Sequence, residues 1–201
     1  MPTANAKSRG YQKISAAARA LKLDFRGQTV LDLGSSTGGF TQYALDNGAK
    51  KVIAVEKGTN QMSAPLRFDP RVELHEKTDL FNFRPTPVPD LILIDISFLP
   101  LTKVLKYANI YLTGSDTQLL VMLKPQFEAT GSQLHKGIVK NAAIRRTIIK
   151  TFETWLKNHN FTTLAKRDAA QTGRFGNLER FYLLKPPKPR HGVKKYSYVV
   201  K

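Results

Sequence analysis

The 201-residue chain contains no cysteine. Disulfides and thiolate metal sites are therefore excluded, and a reducing compartment is permitted. Acidic residues are scarce, 15 against 32 lysines and arginines, and both ends lack them. Residues 1–23 hold Lys7, Arg9, Lys13, Arg19 and Lys22, and residues 186–201 hold Lys188, Arg190, Lys194, Lys195 and Lys201, with no Asp or Glu in either stretch. No run approaches the ~18 apolar residues of a membrane span, and the N-terminus lacks the apolar core of a signal peptide. These absences make a cytoplasmic protein, with no metal and no membrane partner, the expectation. No internal repeat is visible.

What is present is a strongly basic globular composition. The net charge is +17, with 41% hydrophobic and 23% charged residues. The length suits one domain with a sizeable core. Excess acid would serve solubility as well as excess base does, so two basic ends around a moderately basic body point to a polyanion, nucleic acid first. Residues 1–8 read as a disordered basic arm, residues 9–185 as the folded domain, and the proline-punctuated stretch 186–201 as a flexible basic tail.

Hydrophobic periodicity orders the domain. A helix is expected over residues 9–23, then a buried strand over 29–33. A helix follows to Asn47, where Asn47-Gly48 stops it. Strands are expected at 51–56, 72–75, 90–95 and 117–123, with helices at 61–67 and 101–112 between them. Residues 126–139 show no period and contain two glycines, so they read as a mobile loop. A long amphipathic helix, 141–159, carries Ile144, Ile148, Phe152 and Trp155 on its core face. Two last strands, 161–167 and 179–184, are separated by a loop too short for a crossover helix, so they must pair antiparallel. The fold class is α/β: a seven-stranded, mostly parallel, Rossmann-like doubly wound sheet with one antiparallel strand.

The chain is organised around Leu31-Asp-Leu-Gly-Ser-Ser-Thr-Gly-Gly-Phe40. A strand, a glycine turn and a helix N-terminus form the nucleotide-binding corner of an open α/β sheet. Gly34, Gly38 and Gly39 allow close backbone approach, and Ser35, Ser36 and Thr37 offer hydroxyls and helix N-caps. The loop lacks Gly-Lys-Ser/Thr, so it is not a P-loop. Ser36 replaces the second glycine that admits a pyrophosphate. Glu56 ends the second strand, where a carboxylate accepts both ribose hydroxyls of an adenosine. Asp32, two residues before the turn, would repel a pyrophosphate but suits an ammonium. Together these favour S-adenosyl-L-methionine over NAD or ATP, with Phe40, Lys57 and Asp79 beside it and Asp79 placed to bond the adenine amino group.

The catalytic edge follows from topology. Ligands bind beyond the carboxyl ends of the strands. Asp95 ends the fourth strand and Lys124 the fifth, and an antiparallel last strand brings Glu179 to the same edge, where Lys13 of the first helix could lie across the mouth. Five segments, Ser8-Arg-Gly-Tyr-Gln-Lys13, Leu31–Thr41, Ile94-Asp-Ile-Ser-Phe98, Leu123-Lys-Pro-Gln-Phe-Glu128 and Gly176-Asn-Leu-Glu179, resemble the TlyA-type ribosomal RNA 2′-O-methyltransferases, a branch of the FtsJ-like enzymes. They spread over almost all of residues 8–185 in the family's order. The resemblance implies a Lys-Asp-Lys-Glu catalytic tetrad at Lys13, Asp95, Lys124 and Glu179, and methyl transfer to a ribose 2′-hydroxyl of ribosomal RNA, with cytidine as target. The chain departs from the pattern twice: it begins where the family's small N-terminal RNA-binding domain would end, and Glu56 stands where Asp is usual. The family also carries the name haemolysin, which the absent apolar span disfavours as a literal activity.

Whether Lys124 acts as a base or as an orienting charge is open on the sequence, because a second ammonium and two carboxylates act on it in opposite senses. Substrate grip is expected from the basic ends and from Arg9, Lys136, Arg145 and Arg174. The rival reading is a non-catalytic RNA-binding protein that keeps the methyltransferase fold; presence of all four tetrad residues weighs against it. An amino-methylating enzyme would carry an Asn/Asp-Pro-Pro-Tyr-type motif after the fourth strand, where this chain has Asp95-Ile-Ser-Phe98.

Overall fold

The computed structural model describes residues 7–173 and 175–188. Seven strands form one sheet: β1 (Thr29–Leu33), β2 (Lys51–Val55), β3 (Val72–His75), β4 (Leu91–Ile94), β5 (Gln118–Leu123), β6 (Thr162–Asp168) and β7 (Arg180–Lys185). Their spatial order is β3-β2-β1-β4-β5-β7-β6. All neighbours are parallel except the pairs that β7 makes with β5 and with β6. Among the described residues β7 is thus the single reversed strand, as the short connection before it requires.

The central strands are buried along almost their whole length, and mostly apolar, because both faces are covered. Alternate residues feed two cores. Val30, Val52, Ala54, Leu93, Leu120 and Phe181 face α1 (Arg9–Leu21) and α2 (Gly39–Asp46). Leu31, Ile53, Ile92, Val121 and Tyr182 face α4 (Leu101–Tyr111) and α6 (Ala142–Asn158). Two short helices, α3 (Ala64–Arg67) and α5 (Pro125–Glu128), follow β2 and β5. On α6 the core face is Ile148, Ile149, Phe152 and Leu156, with Trp155 only partly buried against it.

Two expectations are corrected. Residues 126–139 are not a structureless loop: they hold most of α5, a 3-10 turn at Gly131–Gln133 and a β-bridge between His135 and Ile138. Periodicity cannot detect elements this short. The segment is anchored by buried Asn177, whose Oδ1 accepts from Val139 N at 3.0 Å and whose Nδ2 donates to Gly137 O at 3.1 Å. The second correction concerns α2, whose N-cap is Gly38 at φ 89°, without a side-chain capping bond. Ser35, Ser36 and Thr37 are therefore not its caps; a left-handed N-cap leaves this job to the turn itself.

Candidate active site

The strand order reverses between β1 and β4, so their carboxyl ends open the crevice. Asp95 N donates to Leu33 O at 3.2 Å, which draws the end of β4 against the glycine turn. A Cβ on Gly34 would sit 2.9 Å from Asp95 O, and its φ is +83°. Only glycine satisfies both constraints. The other two loop glycines have internal reasons. A Cβ on Gly38 would meet Leu66 at 2.3 Å, and one on Gly39 would meet Ser8 Oγ at 2.6 Å and Tyr11 N at 2.7 Å. Gly39 is thus the place where α1 crosses α2.

The crossing positions Lys13. Its Nζ pairs with Glu179 Oε2 at 2.5 Å, with side-chain exposures of 11% and 4%. Lys124 Nζ lies 2.7 Å from Asp95 Oδ1 and donates to Ser97 Oγ at 2.9 Å. The β5–β7 register sets Leu123 opposite Arg180, so Lys124 and Glu179 leave the sheet side by side. The four charged residues read from the sequence meet at one edge as two ion pairs.

Three neighbours were not singled out from the sequence. Ser97 holds the Lys124 ammonium. Gln126 Nε2 reaches Glu179 Oε1 at 3.5 Å, and Gln126 Oε1 is buried with no partner among the described residues. Glu128 Oε1 accepts from Leu101 N at 2.6 Å and so ties α4 to α5. Burial raises the Glu128 carboxyl above its ordinary range, with the Leu101 N–H opposing. The signal was present, since all three belong to the segments Ile94–Phe98 and Leu123–Glu128, but spacing alone gives no reason to prefer them.

The cofactor candidates fall into distinct settings. Asp32 is fully buried; its Oδ2 accepts from Thr41 Oγ1 at 2.7 Å and its Oδ1 has no hydrogen-bond partner among the described residues. Desolvation first, then the nearby Asp95 and Glu56 charges, push its carboxyl up to about 7 against the hydrogen bonds from Thr41. Ser35 is buried with an unpartnered Oγ, whereas Ser36 and Thr37 are exposed. Glu56 Oε2 accepts from Ser36 N at 2.9 Å and Oε1 from Gly58 N at 2.7 Å. Lys57 pairs with Asp79 at 3.6 Å, and Asp79 Oδ1 caps the turn Leu80–Asn82 through Phe81 N. Phe40 lies in the core beside Phe181, at a ring separation of 6.4 Å, away from the loop's outer face.

Of the expected RNA contacts, Arg9 and Lys136 are exposed. Arg9 also donates to Thr172 O at 3.2 Å. Arg145 is already engaged within the fold: its guanidinium pairs with Asp168 Oδ1 at 2.5 Å and donates to Leu178 O at 3.0 Å, with 16% exposure. It clamps α6 to the β6–β7 hairpin, a role that sequence spacing does not reveal. Arg174 lies outside the described residues, as do residues 1–6 and 189–201 of the basic ends.

Residues 6–185 match the family model described as FtsJ-like methyltransferase. The chain belongs to the FtsJ-like methyltransferase family. Among curated relatives of this FtsJ-like chain, YqxC of Bacillus subtilis is 36% identical over 181 residues, covering 86% of this chain and 63% of its own. The 16S/23S rRNA (cytidine-2′-O)-methyltransferase TlyA of Mycobacterium tuberculosis is 32% identical, covering 91% and 69%. A solved Streptococcus thermophilus protein that goes by the name hemolysin superposes with a TM-score of 0.85 at 32% identity, covering 95% of this chain and 71% of that one. The FtsJ-like chain thus spans about two thirds of the length of these relatives, 63% of YqxC and 69% of TlyA. No helix among the described residues is long and apolar enough to cross a membrane.

Proposed function

We propose that the chain transfers a methyl group from S-adenosyl-L-methionine to a ribose 2′-hydroxyl of ribosomal RNA, with cytidine as the target nucleotide. The observation that carries this reading is the pair of ion pairs, Lys124–Asp95 and Lys13–Glu179, at the carboxyl edge of β4 and β5. The cytidine-2′-O activity in the name of the Mycobacterium relative supports the choice of hydroxyl and base.

The residues present fit the cofactor. Asp32 Oδ1 and Ser35 Oγ, at the glycine turn, are buried without partners among the described residues, which leaves acceptor capacity for an ammonium. Each Glu56 oxygen uses one site on a backbone N–H and keeps another for a ribose hydroxyl. Asp79 already caps a turn and retains one oxygen beside Lys57 for an amino group. When bound, the cofactor supplies an electrophilic methyl group.

The chain's own residues then do the positioning, which can account for much of the barrier reduction. Lys124 pairs with Asp95 and donates to Ser97, and its ammonium keeps N–H capacity to direct at the 2′-oxygen. This arrangement supports an orienting, charge-holding role for Lys124. Lys13 and Glu179 close the opposite side; with the cofactor bound, the methyl–sulfur bond would break as the methyl–oxygen bond forms, and the hydroxyl proton would pass to solvent beside the Lys124 ammonium.

The direct test is incubation with methyl-labelled cofactor and separate small-subunit RNA, large-subunit RNA and intact subunits, followed by mapping of 2′-O-methyl positions. Label on bases or on protein would overturn the reading. Replacing Lys124 by Ala should lower turnover by ~10²-fold or more. Cofactor affinity, measured by calorimetry, should change less than about threefold because Lys124 is spent on the hydroxyl. Near-normal turnover in that variant removes Lys124 from the mechanism.

A further inference from the structure

On the outer flank of α4, Lys103, Tyr107 and Tyr111 recur at i, i+4 and i+8 and so form one stripe. Arg84, from the loop before β4, lays its guanidinium 3.9 Å from the Tyr111 ring centroid and 4.9 Å from that of Tyr107. Lys103 Nζ stands 4.9 Å above Phe81, whose ring meets Tyr107 edge-on at 5.1 Å. Beside the stripe, Lys106 is exposed on the same helix. None of these three cations pairs with a carboxylate among the described residues, whereas most other arginines of the fold do. The reason is compositional: residues 80–89 and 96–115 contain no Asp or Glu.

We infer that this flank is a second RNA-binding surface, a track for a single-stranded or looped segment that leads away from the catalytic edge. The inference rests on the RNA reading above and adds a place where the substrate is held. Charge complementarity selects the occupant: unneutralised Arg and Lys interleaved with aromatic faces suit a chain of phosphates and flat bases. A guanidinium already stacked on tyrosine presents its other face to a base with little further loss of freedom. The geometry also gives a direction. The first turn of α4 is tied through Leu101 N and Glu128 to the helix that follows Lys124, so Lys103 lies nearest the catalytic edge. Tyr111 lies about 12 Å further along the helix.

The test uses the full chain, a labelled 15-nucleotide oligouridine and ribosomal RNA. One variant neutralises the charge without shortening the side chains: Arg84→Gln, Lys103→Gln and Lys106→Gln together. A second, Tyr111→Leu, removes the ring but keeps its apolar volume. Cofactor affinity and thermal midpoint serve as folding controls. The triple variant should lower the slope of log affinity against log salt by about 2, at about 0.7 for each phosphate no longer neutralised. Tyr111→Leu should weaken oligouridine binding at least fivefold at constant slope, the lower end for losing one stacked base. Parental affinity and slope in both variants would overturn the inference. So would unchanged RNA binding with lost affinity for polyglutamate, which would mark an acidic protein as the occupant. If the variants lose RNA affinity but the parent methylates no RNA, the track stands and the proposed reaction fails. If the parent methylates RNA and the variants do so with unchanged KM, the reaction stands and the track fails.

Discussion

Asp32 carries the most displaced carboxyl of the cofactor corner, and its physical setting makes a pH prediction. In the unfolded chain its proton leaves near pH 4, and in the folded chain it stays until about 7. Between those values the native state binds the extra proton, so stability falls as pH rises and levels off above 7. Asp32→Asn should abolish this slope and be more stable than the parent at pH 8, by at most about 4 kcal/mol at about 1.4 kcal/mol per pH unit. Urea unfolding of both proteins at pH 5 and pH 8 measures it. A parallel pH dependence in parent and variant would show that Asp32 is ionised throughout. From the chain alone, Asp32 is legible as an acid before a glycine turn. That Thr41 of α2 shields it is not, because nine residues and a helix turn separate the two.

Among the elements, α1 has the most to explain, since a helix that precedes the sheet supplies Lys13, one of the four proposed catalytic residues. Its capping is ordinary: Ser8 Oγ accepts from Tyr11 N at 3.2 Å, and Lys22 ends it in the left-handed region at φ 53°. Its placement depends on Gly39, which allows Ser8 and Tyr11 to touch α2. Gly39→Ala should force the two helices apart and carry Lys13 away from Glu179. Overpacking of this kind costs about 1–3 kcal/mol, or roughly 2–12 °C in midpoint for a domain of this size. Turnover should fall more than cofactor affinity does, and calorimetry beside a methylation assay separates the two. Equal losses of both would place the effect in the cofactor loop instead. The helices and strands were readable from their periods. The short α5 and the bridge at His135–Ile138 were not, because their order comes from Asn177 and Glu128 rather than from local pattern.

For the whole molecule, the +17 charge is divided between cations that are free and cations already used. Arg145 belongs to the second group, together with Arg180, which shares Asp168. These two guanidinium partners hold the Asp168 carboxyl below its usual range even though its partial burial opposes them. Arg145→Ala should therefore destabilise the fold by about 1–2 kcal/mol through lost charged hydrogen bonds, while leaving the salt slope of RNA affinity unchanged. A shallower slope with normal stability would return Arg145 to the RNA surface. By contrast Lys103, Lys106 and Arg84 pair with no acid among the described residues, and they lie on a flank that no sequence motif marks.

Local composition and period were sufficient for the parallel sheet, the reversed last strand, the glycine corner and the candidacy of Lys13, Asp95, Lys124 and Glu179. Those properties depend on short-range chemistry: apolar runs, turn residues, and which strand ends must share an edge. Tertiary structure alone decided how the charges are spent. It paired the four as Lys13–Glu179 and Lys124–Asp95, withdrew Arg145 into a clamp, put Phe40 in the core and assigned Gly39 to a helix crossing. The reason is one of range. An ion pair or a close backbone approach joins residues up to 166 positions apart, and no sequence period extends over such a separation.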